Sequence, residues 1–193
     1  MDFSLSAYNK QSFQNISLSQ YDLSDKEFSD CTFKKCDFSG CRLSSSSFID
    51  CTFSNCNLSN IKVDNCSFQN IIFESCKLLG ILFSVINTFL IGWKYEKCQI
   101  ALCDFSGLDM KGSQFLECEV RDCEFINTDL SESDFSGSDL LNSKFHNSNL
   151  EGVRFVGATS YYIDPRFNKM KKARFSYPEV LSLLGVFEIE VEY

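Results

Sequence analysis

Eleven cysteines and one histidine, His146, are the side chains of this 193-residue chain with the most scope for chemistry near neutral pH. Thiolates act as nucleophiles, exchange disulfides and hold soft metals, so their placement decides which use is open. Cys31, Cys36, Cys41, Cys51, Cys56, Cys66, Cys76, Cys98, Cys103, Cys118 and Cys123 each stand two residues before a larger apolar residue. Ser46, Ser113, Thr128 and Ser133 share that slot. One slot reused along a chain by small residues reads as core filler, since free cysteine behaves as a small buried hydrophobe. His146 supplies no second imidazole for a zinc site, and metal or disulfide use is the weaker alternative. No nucleophile elbow and no phosphate-cradling glycine loop is present, so no enzyme and no cofactor are expected.

Carboxylates are the other candidates. The chain carries 26 acids against 18 bases, a net charge of −8. Residues 98–155 hold eleven acids and four bases, or −7. That balance argues against direct nucleic-acid binding, which needs Lys and Arg to displace counterions. General acid–base work needs a dry cleft, and the elements that would have to build one come next.

Those elements follow a five-residue beat. CTFKK and CDFSG stand back to back at residues 31–40. With the central apolar residue called i, Phe28, Phe33, Phe38, Leu43, Phe48 and Phe53 continue without a gap to Phe83. After a shift of two, a second run goes from Ile100 and Phe105 to Phe155. All phenylalanines except Phe89, Phe167, Phe175 and Phe187 sit at i. Period five fits neither a helix nor a strand. It fits a chain that turns a corner after every fifth residue, with i and i−2 inward, four sides to a coil, and coils stacked at a β spacing of ~4.8 Å. Glycines such as Gly40, Gly80 and Gly107 fall at i+2, the corner, where positive φ is needed.

On these residues, from Phe3 to Phe155, the chain resembles the pentapeptide-repeat family. The resemblance implies an all-β fold, a right-handed quadrilateral β-helix. It is expected over residues 1–157, with an atypical first coil in which Gln11, Tyr21 and Lys26 fill the small slot. Residues 158–193 are expected to form a capping and dimerisation module. Within it the spacing predicts a helix over 178–184, opened by Pro178 and stopped by Gly185, and a strand over 186–193. Val180, Leu181, Leu184, Phe187, Ile189 and Val191 are the candidate dimer contacts.

Two features could engage a partner. Residues 84–97 break the phase, and Trp93 would overpack a small inward slot, so a bulge or loop is expected there. It is either a decayed repeat or a contact loop exposing Phe89, Trp93, Lys94 and Tyr95. The second feature is a pair of acidic stacks: Asp109 and Asp129 are twenty residues apart, as are Glu119 and Asp139. Such stacks read either as a solvated surface or as a negative strip that imitates a nucleic-acid backbone.

Acidic repeats, a Trp-containing irregularity and an apolar C-terminal helix are similar to the quinolone-resistance branch of the family. That resemblance implies a homodimeric rod that binds a type II topoisomerase, DNA gyrase or topoisomerase IV, and shields it from quinolones. A generic scaffold with an unrelated partner is the alternative. Residues 1–10 lack a basic, then apolar, leader, and no apolar run spans a bilayer, so a soluble cytoplasmic protein without membrane contact is expected.

Overall fold

The computed structural model describes residues 3–87 and 91–189. Within them the chain forms a four-sided parallel β-solenoid of about eight turns. On most sides i is buried between exposed or half-buried neighbours, as in Thr32–Lys34 and Gln114–Leu116. Corner residues take φ between 51 and 75°. Glycine holds only some of these corners. Asn15, Asn55, Asp122 and Asn142 hold others, because their short polar side chains tolerate the left-handed region. Coils bond edge to edge in both directions. Thr32 N–H donates to Gln11 O at 2.9 Å in the coil below, and Gly40 N–H donates to Ser59 O at 2.8 Å in the coil above.

Asp or Asn at position i−1 makes a side a turn, although Ser17, Arg42 and Lys62 also precede turns. Every side with Asp or Asn there, from Asp22 and Asp37 to Asp134 and Asn149, is a turn. The carboxylate accepts the amide two residues on, as Asp37 Oδ1 does from Ser39 N–H at 3.0 Å and Asp129 Oδ1 from Ser131 N–H at 2.8 Å. That local bond competes with extended backbone. Strand sides carry Thr32, Thr52, Lys94 or Gln114 instead.

The core is built of columns. On the second side Phe13, Phe33, Phe53, Phe73, Tyr95, Phe115, Phe135, Phe155 and Phe175 stack without interruption, at centroid separations of 4.7 to 5.3 Å. On the first side Tyr8, Phe28, Phe48 and Phe68 stack in the same way. That column then gives way to Met110, Leu130 and Leu150. The fourth side does the reverse: Leu23, Leu43 and Val63 are followed by stacked Phe83, Phe105, Phe125 and Phe145. Ring columns therefore lie on adjacent sides in the lower rod and on opposite sides in the upper rod.

Trp93 sits at the changeover, and here the expectation of an exposed aromatic loop is corrected. Asn87 opposes Ser67, twenty residues back, whereas Trp93 opposes Ile71, 22 back. Only two residues are added. Trp93 occupies the inward slot of strand Trp93–Glu96 at 2% exposure, and Tyr95 is fully buried in the ring column. The indole lies over Phe68, where the first-side column ends, with centroids 6.2 Å apart. It reaches Phe83, where the fourth-side column begins, at 5.1 Å. Its Nε1–H donates to Phe68 O at 3.0 Å. The overpacking that the slot threatens is relieved because one ring column has ended before the next is complete. Phe89 lies outside the described residues.

The first coil keeps the regular pairing, and of its misfit residues Gln11 and Tyr21 are exposed and Lys26 is half-buried. Phe3 covers its open end, 5.5 Å from Tyr8 and 5.3 Å from Phe13. At the other end the coil continues past Gly157, where a stop was expected. Tyr162–Ile163 pairs with Lys144–His146, and Arg174–Phe175 pairs with Arg154–Phe155. Phe145 opposes Ile163, 18 residues on, but Asn149 opposes Lys169, 20 on. A shortened corner before Tyr162 is thus repaid by a lengthened one at 164–168, which hides the beat. A 3₁₀ helix, Glu179–Phe187, then runs through Gly185 and ends at Glu188 with φ 52°. The strand expected from Val186 is therefore not formed at Val186 and Phe187. Phe187 instead packs against the Arg166 guanidinium at 5.7 Å, which holds the last helical turn on the coil. Residues 190–193 of that expected strand lie outside the described residues.

All eleven cysteines are free and buried. Five of them, Cys36, Cys56, Cys76, Cys98 and Cys118, form one column on the third side. The amide of each donates to the sulfur above at 3.4 Å, and Cys118 N–H ends the series on Ser138 Oγ at 2.9 Å. The thiols donate in turn to carbonyls, Cys76 to Phe53 O at 3.3 Å. Burial pushes the Cys41, Cys51 and Cys66 thiols up to about 12, so they stay protonated. Native protein is therefore expected to resist alkylation, while denatured protein takes up label at all eleven thiols by mass spectrometry. Parallel side chains on neighbouring coils do not reach disulfide dihedral geometry. A reproducible internal bridge would contradict this arrangement.

Candidate protein-interaction surface

The rod's convex exterior carries the charge. Among the described residues no three His, Cys, Asp or Glu side chains are placed to share a metal ion. No helix is long and apolar enough to cross a membrane. Asp109 and Asp129 do oppose each other on adjacent coils, as do Glu119 and Asp139. The two pairs differ in electrostatics. Arg121 inserts beside the second pair, 2.7 Å from Asp139 Oδ2 and 3.7 Å from Glu119 Oε2, and offsets its repulsion. Among the described residues Asp109 and Asp129 have no ion pair. Asp109 Oδ1 accepts Lys111 N–H at 3.3 Å, and Asp129 Oδ2 accepts Asn149 Nδ2–H at 3.2 Å. Partial burial works against the Asp129 charge, but hydrogen bonds from Ser131 and Asn149 and the nearby charge of Lys111 together outweigh it and hold the carboxyl below its usual value. Asp109 and Asp129 are thus the open negative step of the rod.

The expected contact loop contributes little to this surface. Trp93 and Tyr95 are inside, and Lys94 is spent on Glu96 at 2.9 Å. The sequence reading missed the lengthened corner at 164–168, which lifts Arg166 and Phe167 off the coil. Its signals were the loss of the beat after Gly157 and the turn dipeptide Asp164-Pro165, which look the same whether the coil ends or merely slips.

A family model for the pentapeptide repeat region matches residues 26–88 and 84–155. No curated protein matches the chain in sequence. Among solved structures, a trypsin-treated form of QnrB1, a plasmid-mediated fluoroquinolone resistance protein, aligns with 96% of this chain and 100% of that chain, at 17% identity and a TM-score of 0.63. Full-length QnrB1 aligns with 95% of this chain and 100% of that chain, at 16% identity and a TM-score of 0.41. HetL, a pentapeptide repeat protein involved in heterocyst differentiation regulation in the cyanobacterium Nostoc, aligns with 86% of this chain and 84% of that chain, at 13% identity and a TM-score of 0.43. Likeness at such identities speaks to the fold alone.

Proposed function

The chain belongs to the pentapeptide-repeat family, and from that premise we propose that it is a non-enzymatic rod that binds DNA gyrase or topoisomerase IV in place of duplex DNA, shielding the enzyme from quinolones. The observation that carries this reading is the unpaired Asp109/Asp129 step within a segment of net charge −7. A rod closed by hydrogen bonds on every side presents that charge without rearranging, and a basic DNA channel attracts it at long range. The fold shared with a fluoroquinolone resistance protein supports the choice of partner.

A supercoiling assay with purified gyrase and ciprofloxacin tests it. The protein is expected to restore supercoiling. Asp109→Lys with Asp129→Lys should slow association by roughly tenfold or more at low salt and flatten its salt dependence. Wild-type protein that binds neither topoisomerase would leave only a scaffold for another partner.

The same reading makes the protein a homodimer through its C-terminal segment. Val180, Leu181 and Leu184 are half-buried, while Phe187 and Ile189 are exposed, so an isolated chain leaves apolar surface in water. Val191, the remaining candidate contact, is outside the described residues. Leu181→Asp with Leu184→Asp is expected to halve the mass by light scattering and to leave the β-helix folded. A monomeric wild type at micromolar concentration would rule the dimer out.

A further inference from the structure

The last coil carries charge of the opposite sign to the rod beneath it. Residues 165–178 hold five bases, Arg166, Lys169, Lys171, Lys172 and Arg174, and no acid, in a chain of net charge −8. Among the described residues only Arg166 of the five has an ion pair. Arg174 stands directly opposite Arg154 on the coil below. Like charges placed opposite each other destabilise a sheet. Arg154 has Asp134 at 4.0 Å to offset its charge, while Arg174 has no such acid.

On the second side, and on the corner leading into it, two columns share one order of charge. Asp134, Arg154 and Arg174 occupy the same outward slot on three successive coils. Glu132, Gly152 and Lys172 occupy the corner beside it. In both columns an acid lies one coil below the level of Arg154 and a base one coil above. The rest of this face is small, with Ser136, Val156 and Ser176 in one column and Gly137 and Gly157 at the far corner. Tyr177 ends that corner at 69% exposure.

We infer that two copies of the chain meet on this second-side face, side by side and antiparallel, about a two-fold axis level with Arg154 and Val156. The inference rests on the homodimer reading and gives that dimer its register. A two-fold contact must be its own complement. Turning one copy end for end about this axis sets each column against itself in reverse order. Asp134 then faces the partner's Arg174 and Glu132 faces the partner's Lys172, and each pair occurs twice. Tyr177 falls on the partner's Gly137, where no side chain opposes the ring. Val156 and Gly157 meet their own copies at the axis. Arg154 does so too, each guanidinium kept beside Asp134 of its own chain. Three coils of contact span only ~14 Å, less than a stable dimer needs. The charged face therefore sets the register, and the apolar segment after Tyr177 supplies the remaining burial. Asp109 and Asp129, at the far edge of the first side, stay uncovered.

Sedimentation equilibrium of the full-length protein tests this. The wild-type dimer should weaken as salt rises. Lys172→Glu with Arg174→Glu should weaken it by roughly tenfold or more. Glu132→Lys with Asp134→Asn should do the same, since asparagine keeps the acceptor for Ser136 N–H at 2.8 Å. Mixed together, the two variants should form a heterodimer near wild-type strength, because each supplies the charge the other lost. Circular-dichroism melts check folding, and Lys172→Glu and Glu132→Lys alone make the pair if either double variant fails to fold. All native thiols are buried, so an added surface cysteine reports on its own surroundings. Val156→Cys should cross-link to its copy when oxidised with diamide. Leu116→Cys, two coils from the axis in the same column, should not. A wild type that is monomeric at micromolar concentration overturns the dimer and this face together. Undiminished dimers in both charge variants, no heterodimer from the mixture, or cross-linking at position 116 and not at 156 overturn the face alone and leave the C-terminal dimer standing.

Discussion

Trp93→Ala is expected to destabilise the rod by about 3–5 kcal/mol, the range for deleting a large buried aromatic side chain. The indole packs against the ends of both partial columns, Phe68 and Phe83, which also meet each other edge to face at 6.3 Å, and it reaches Tyr95 and Phe105 at 6.2 and 6.4 Å. Removing it leaves a cavity where the core changes pattern and takes the Nε1–H donor from Phe68 O. Solenoid stability is nearly a sum of repeats and nearest-neighbour interfaces. A weakened interface at one level should therefore split urea unfolding, followed by circular dichroism, into two transitions. Trp93→Phe should recover part of the loss. A change below about 1 kcal/mol, within the range of ordinary surface substitutions and mild core swaps, would mean that the indole does not hold the two halves together.

Tyr95→Phe is expected to act in the opposite direction and stabilise the protein by about 1–3 kcal/mol, the cost of a buried polar group left unsatisfied. The Tyr95 hydroxyl is buried without a hydrogen-bond partner. Burial holds its ionisation well above the ordinary tyrosine value, so the group stays neutral and contributes no charge. The ring itself is well placed, 4.8 Å from Phe73 and 4.7 Å from Phe115, and phenylalanine keeps both stacks. Thermal denaturation of the two proteins decides it. A lower melting temperature for Tyr95→Phe would show that the hydroxyl is satisfied, for example by one of the thiols nearby.

The side-by-side stacking of Phe28 on Phe48 and of Cys36 on Cys56 was legible in the sequence because each coil there is twenty residues. The five-cysteine column was only half legible. Cys76 and Cys98 are neighbours across a coil of 22 residues, and arithmetic based on twenty separates them. Trp93 misled for a related reason. Its slot was identified correctly, but whether a large ring fits depends on which columns end at that level, and no local window contains this. The acidic stacks were placed correctly in register. The countercharge was not foreseen, since Arg121 bridges Glu119 and Asp139 from the adjoining position of its own side. The continuation of the coil past Gly157 escaped because the two slips within it cancel within ten residues or so of chain.

The unbroken ring column on the second side also constrains how a gene for such a rod can change. Replication slippage that adds or drops one whole coil's worth of codons leaves every column with its former neighbours, because Phe33 and Phe53 are interchangeable in the stack. Slippage by a single repeat unit turns all later coils by one side. It would set Phe columns over leucines and divide the cysteine column. Two extra codons at a corner, as before Trp93, are absorbed there without turning anything. Inheritable length in a rod of this kind is therefore quantised in coils, and corners are where its lineage can vary freely.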